Sequence, residues 1–143
     1  MIIYRLPLNA LQKGLYTLIN GAIETDSGDP VPVHDFIPTG QEEFPYIWLG
    51  RQEDKPDLIN KSRPIHLITQ ELDVWSTEAG KRECNEILDD LVHLLTIRRP
   101  EMSDFNVLAV DLIDSSIEGE AYENGITAYH GKVVFNFLIE QKE

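Results

Sequence analysis

Two carboxylates stand two residues apart in "ELDVW", Glu71 and Asp73. On a regular strand both would point to the same side. Such pairs can serve general acid–base or hydrolytic chemistry. A nuclease of the Asp/Glu-x-Lys type also needs a lysine to steady the phosphate, and the residues after Asp73 are Val74 and Trp75. Asp111 and Asp114 are similarly unaccompanied. In a chain with 25 acidic residues such pairs are expected by chance. The histidines His34, His66, His93 and His130 each lie alone in sequence. Cys84 would be a nucleophile only with a base beside it, and its place on an apolar stripe points to a buried thiol. Trp48 and Trp75 could stack on bases, but no basic residues interleave with them, so packing is the expected role. There is no GxSxG, HExxH, GxGxxG, Walker A or EF-hand pattern. The residues therefore assign no catalytic group, no metal ligand and no cofactor.

The elements that would hold these side chains read as follows. Leu8, Leu11, Leu15, Leu18 and Ile19 fall at helical spacing, which predicts a helix from about Asn9 to Asn20 with Asn9 as its cap. Val33 to Ile37 and Tyr46 to Gly50 are strand candidates. Arg51 to Pro64 is polar, holds two prolines and reads as a functional or mobile loop, with Leu58 and Ile59 as its apolar anchors for a neighbour. Ile65 to Trp75 alternates with a phase slip near Thr69 to Glu71, where a bulge would restore it. From Thr77 the period becomes helical. Cys84, Ile87, Leu88, Leu91, Leu94 and Leu95 form one stripe. Ser76 or Thr77 could cap this helix, Glu78 suits its first turn, Arg98 and Arg99 suit its last, and Pro100 ends it. Asn106 to Ile113 is a strand apolar on both faces, hence expected to be covered on both, at least in part. Asp114 to Gly125 is a polar connection. Thr127 to Glu140 is a long strand with Val133, Phe135, Phe137 and Ile139 on one face.

The order is α-β-β-β-α-β-β. Successive strands joined without helices pair antiparallel. The fold class is α+β: one twisted, mainly antiparallel sheet of about four to five strands with two helices packed against it. A length of 143 residues suits a single domain, 1–143. No apolar run approaches the roughly 20 residues of a membrane span, and the start shows no signal-peptide pattern. One cysteine allows no internal disulfide. A net charge of −13 disfavours nucleic acid and anionic membranes as attractive partners. The charge is uneven: from Glu101 to Glu143 nine acids face only Lys132 and Lys142. That acid is either a solvated surface or one that repels something.

Four blocks, in order, resemble the phage tail-completion or tail-terminator family. They are "LQKGLYTLI" (Leu11 to Ile19), "FPYIWLG" (Phe44 to Gly50), "LDVWSTEAGKRECNEILDDL" (Leu72 to Leu91) and "NGITAYHGKVVFNFLI" (Asn124 to Ile139). The resemblance implies structural work without catalysis. The chain would be made in the host cytoplasm and would form a ring, expected to be a hexamer, at the head-proximal end of the virion tail. Its partners would be other copies of itself, the tail tube protein and a head-completion or connector protein. DNA would pass through without specific binding, and no membrane would be involved. Trp75 would anchor the end of its strand in the core. Two alternatives stand beside this reading. One is a neck or head-tail adaptor of similar fold. The other is a small acidic hydrolase using Glu71 and Asp73.

Overall fold

The computed structural model describes residues 3–37, 39, 42–57, 63–121, 125 and 127–142. The elements are α1 (Leu8–Ile19), β1 (Val33–His34), β2 (Tyr46–Asp57), β3 (Ile65–Ser76), α2 (Arg82–Ile97), β4 (Phe105–Ala121) and β5 (Thr127–Gln141). This is the α+β order expected. The strands form one open sheet, β1-β2-β3-β5-β4. All neighbours pair antiparallel except the short parallel contact of β1 with β2. Both helices lie on one face. Leu11, Leu15 and Ile19 of α1 and Ile87, Leu91 and Leu95 of α2 enter a single core with Ile47, Leu72, Phe135 and Phe137. Side chains of this kind contribute about 1.5–3 kcal/mol each on full burial. Among the described residues the opposite face carries no helix.

Several expectations shift. The first helix starts at Leu8, and Asn9 lies inside its first turn, behind Pro7, which makes no side-chain cap. The second starts at Arg82 rather than near Thr77. Ser76 instead staples the connection: its hydroxyl donates to Glu83 Oε1 at 2.7 Å and accepts from the Glu78 amide at 3.2 Å. Arg98 is the residue just past the helix, so neither it nor Arg99 sits in the last turn. The first strand is only Val33–His34.

The polar segments are the larger correction. Arg51 to Asp57 continues β2, paired with β3 as far as Asp57↔Ile65. Beyond β1 the outer side of β2 is an edge, where a proline such as Pro56 is tolerated. Leu58 and Ile59, the expected anchors, lie outside the described residues. Most of the expected polar connection after Ile113 is likewise strand, since β4 runs to Ala121 against β5. Edge strands can be polar because only one side of their ladder and part of one face are buried. The cover expected on both sides of β4 is confined to its first part: Val107 and Val110 pack against the core and Ala109 is half-buried, while Leu108, Leu112 and Ile113 are exposed. Its register slips between Val107 and Ala109 and between Leu112 and Asp114. The bulge expected in β3 lies instead across the ladder on β2, between Leu49 and Gln52. β3 itself stays in unbroken register with β5 from Ile65 to Ser76. Its alternation looked broken because polar His66 and Gln70 take core-facing positions beside Ile68, Leu72 and Val74.

Gly131 sets how closely α2 approaches the sheet. A Cβ there would lie 2.6 Å from Leu88 Cδ1 and 2.8 Å from Cys84 Sγ, both on buried side chains. Gly131→Ala should therefore push the helix off the sheet and destabilise the protein by about 1–3 kcal/mol. Thermal unfolding checks this. An unchanged melting temperature would show that α2 yields freely at that contact.

Candidate functional site

The uncovered sheet face holds the residues singled out for chemistry. In β3, Glu71, Asp73 and Trp75 occupy it, opposite Val134, Lys132 and His130 of β5. The lysine missing from the local sequence therefore arrives from another strand. Lys132 Nζ lies 3.4 Å from Glu71 Oε1 and 3.9 Å from Asp73 Oδ1. His130 Nε2 lies 2.7 Å from Asp73 Oδ1, and its Nδ1 lies 3.1 Å from Glu120 Oε1 on β4. Trp75 stacks on the His130 ring, 4.1 Å between centroids and 7° from parallel. Its indole N–H points to Glu120 Oε2 at 3.4 Å. Tyr46 stacks on the other side of Trp75 at 5.2 Å, and His34 follows at 5.6 Å. An aromatic row thus crosses β1, β2, β3 and β5, and ends on an acid of β4. Trp75 is held in this row on the open face rather than in the helix-side core.

Asp73 is only 2% exposed although no helix covers it. Its Oδ2 has no hydrogen-bond partner and lies against Gly50, where a Cβ would come within 2.5 Å. A buried carboxylate is tolerated when cations and hydrogen bonds compensate its lost hydration; His130 and Lys132 supply them here. Burial opposes the charged form of His130, but hydrogen bonding and attraction from Asp73, then Glu120, outweigh it and raise the pKa. Chemically the cluster is a closed charge network. Each cation is held by at least one carboxylate, and Asp73 presents almost no surface to a substrate.

The other candidates disperse. Cys84 is buried, with its thiol near the carbonyls of Val74 and Tyr129, and burial pushes its pKa up to about 11. His66 is buried on the helix side with both Asp54 oxygens 3.0 Å from its Nδ1. His93 is exposed on α2, and Asp111 and Asp114 are exposed on β4. Trp48 packs beside Trp75, 6.2 Å away. Among the described residues, Glu118, Glu120 and His130 bring donor atoms within 4.8 Å of one another, close enough to hold a metal ion. Sequence spacing could not show the Asp73–His130–Glu120 and Asp54–His66 pairings, because each joins different strands.

Residues 18–140 match the family described as tail completion protein gp17. The chain belongs to that family. It is therefore a structural phage tail protein of the virion. No curated protein matches the sequence. The fold is similar to a chain in a solved structure described as the virion of a native gene transfer agent (GTA) particle. That chain shares 15% identity, each chain is covered over 92% of its length, and the TM-score is 0.65. No helix among the described residues is long and apolar enough to cross a membrane.

The His130 contacts carry a pH signature. Its folded pKa lies above its unfolded value near 6.5, so its stabilisation is full below about pH 6.5 and is lost as pH rises through the folded pKa. His130→Gln should lower stability by about 1.5–3 kcal/mol in acid-side buffer, as for a hydrogen bond to a charged group. The gap to the unsubstituted protein should narrow toward alkaline pH. Chemical denaturation from pH 6 to pH 9 measures it; a pH-independent gap would mean that His130 acts only by packing.

Proposed function

We propose that this protein completes the tail as a ring, six copies being the expected number, at the head-proximal end of the tube. There it would contact the tail tube protein on one side and the head-completion or connector protein on the other. DNA would pass through it without specific binding. The observation that carries this reading is the tail-completion family match across residues 18–140. The chemistry of the site agrees with it. Glu71, Asp73, Lys132 and His130 neutralise one another and brace the open sheet face, so the chain serves assembly rather than catalysis. Lys132 does give the carboxylate pair the cation that a hydrolase would need. Asp73 is too deeply buried to receive a phosphate, and Glu71 holds the lysine.

The test is loss and restoration of the gene in its phage or prophage. Without it, tails should lack heads and run past their normal length. Purified protein added to such extracts should restore joining, and Glu71→Gln should restore it equally well. Unjoined tails of normal length would move the protein to the neck. Loss of joining with Glu71→Gln in a variant that still folds would revive the catalytic reading. The purified protein should be monomeric at micromolar concentration, because a charge of −13 per subunit opposes spontaneous closure, most at low salt. Light scattering after size exclusion reads this directly. A stable ring at low salt in the absence of tails would overturn it.

A further inference from the structure

The protein carries two unsatisfied charge patches of opposite sign. The first lines a cavity of about 760 Å³ between α1 and the segment that leads from α2 into β4. Lys13 stands on the α1 wall and Arg98 and Arg99 on the other, over a floor that includes Met102 and Phe105. Gly14 lets the walls meet: a Cβ there would lie 2.6 Å from the Glu101 carbonyl oxygen. Arg99 is fixed in place by donating to the Val107 carbonyl at 2.9 Å. Acids outnumber bases 25 to 12 in this chain, and most basic side chains elsewhere are claimed. Among the described residues Arg5, Arg51, Lys55, Arg63, Arg82 and Lys132 each sit in an ion pair with a carboxylate. Lys13, Arg98 and Arg99 do not, and neither do Lys81 and Lys142, but these three alone of the five line one groove, although Glu101 and the Arg5-paired Asp104 line it too.

The second patch is the far half of β4. Asp111, Asp114 and Glu118 are exposed there and in no ion pair among the described residues. They stand in register with Asn136, Val134 and His130, and so share the uncovered face. No Lys or Arg occurs from Asp111 to Ala121, and exposed Leu112 and Ile113 lie within the same stretch. The two patches cannot meet within one molecule. Phe105 at the groove and Glu118 share one strand, thirteen residues apart in number, hence roughly 43 Å at the usual rise. The groove is on the helix side and the acids are on the other. Complementary patches at opposite ends and faces describe a head-to-tail contact, the kind that closes into rings. A two-fold contact through either patch would set like charge against like.

We propose that the acidic face of β4 from Asp111 to Glu118 in one copy seats against the Lys13–Arg98–Arg99 groove of the next copy in the ring. The inference rests on the ring reading above and names the surface that joins its subunits. It also gives the uneven acid of the chain a partner: the patch repels a free subunit's own kind everywhere except at this groove. Exposed ion pairs are individually weak and screened by salt. The contact therefore holds subunits already gathered on a tube end and does not close rings in solution.

Charge reversal with compensation tests the contact on tails isolated without the protein. Lys13→Glu with Arg98→Glu, and separately Asp114→Lys with Glu118→Lys, should each leave the melting temperature near that of the unsubstituted protein. Each should reduce head joining by roughly tenfold or more, the effect of losing about 1.4 kcal/mol. The chain that combines all four should recover joining. As a direct readout, Thr17→Cys with Ser116→Cys should give disulfide-linked multimers on tails and none in the free monomer. Reversed chains that join normally would overturn the contact and leave the ring standing. So would a defect in the groove variant alone, which would assign the groove to another acidic partner. Unsubstituted protein that never forms a multimer on tails would remove the ring itself.

Discussion

A buried carboxylate on an uncovered sheet face is the constraint around which this molecule is arranged. Asp73 has no helix above it and almost no exposure. Burying a carboxylate there is costly unless neighbouring strands bring it cations and hydrogen-bond donors. β5 brings both, His130 and Lys132, and His130 in turn reaches Glu120 on β4. Three strands are thereby tied at one point by charge rather than by apolar packing. The aromatic row from His34 through Tyr46 and Trp75 carries the same tie to β1 and β2. A sheet built this way needs no second helical layer to keep its open side in order.

That economy suits a virion subunit. A face braced by its own side chains remains available to neighbours, and the helix layer secures the core from the other side. The same economy bears on a pair of acids with a lysine nearby. Catalytic groups must be held in place and still meet a substrate. Here the groups that could react are spent on one another.

The edges follow from the same logic. β4 is long, polar and interrupted twice in its register, features that discourage indiscriminate strand pairing. Its exposed acids sit where the sheet has no further strand, and the groove with unpaired bases sits at the other end. Charge opposed across two such surfaces contributes to specificity and approach more than to affinity.

By itself the sequence determined the element order, the apolar stripe of α2, the core face of β5 and, through four short blocks, the family. Those features are local: a period of 3.6 or 2 is written into consecutive residues, and burial of one face follows from it. The tertiary structure alone decided the rest. Arg51 to Asp57 and Asp114 to Ala121 look like loops because an edge strand needs little apolar character; they become strands because β3 and β5 offer them a ladder. Likewise Lys132 meets Glu71, and His130 meets Asp73, only through the register of β3 with β5. Register is set by the whole sheet and its core, since a slip of one residue would turn every side chain to the wrong face. No spacing within a single strand encodes it.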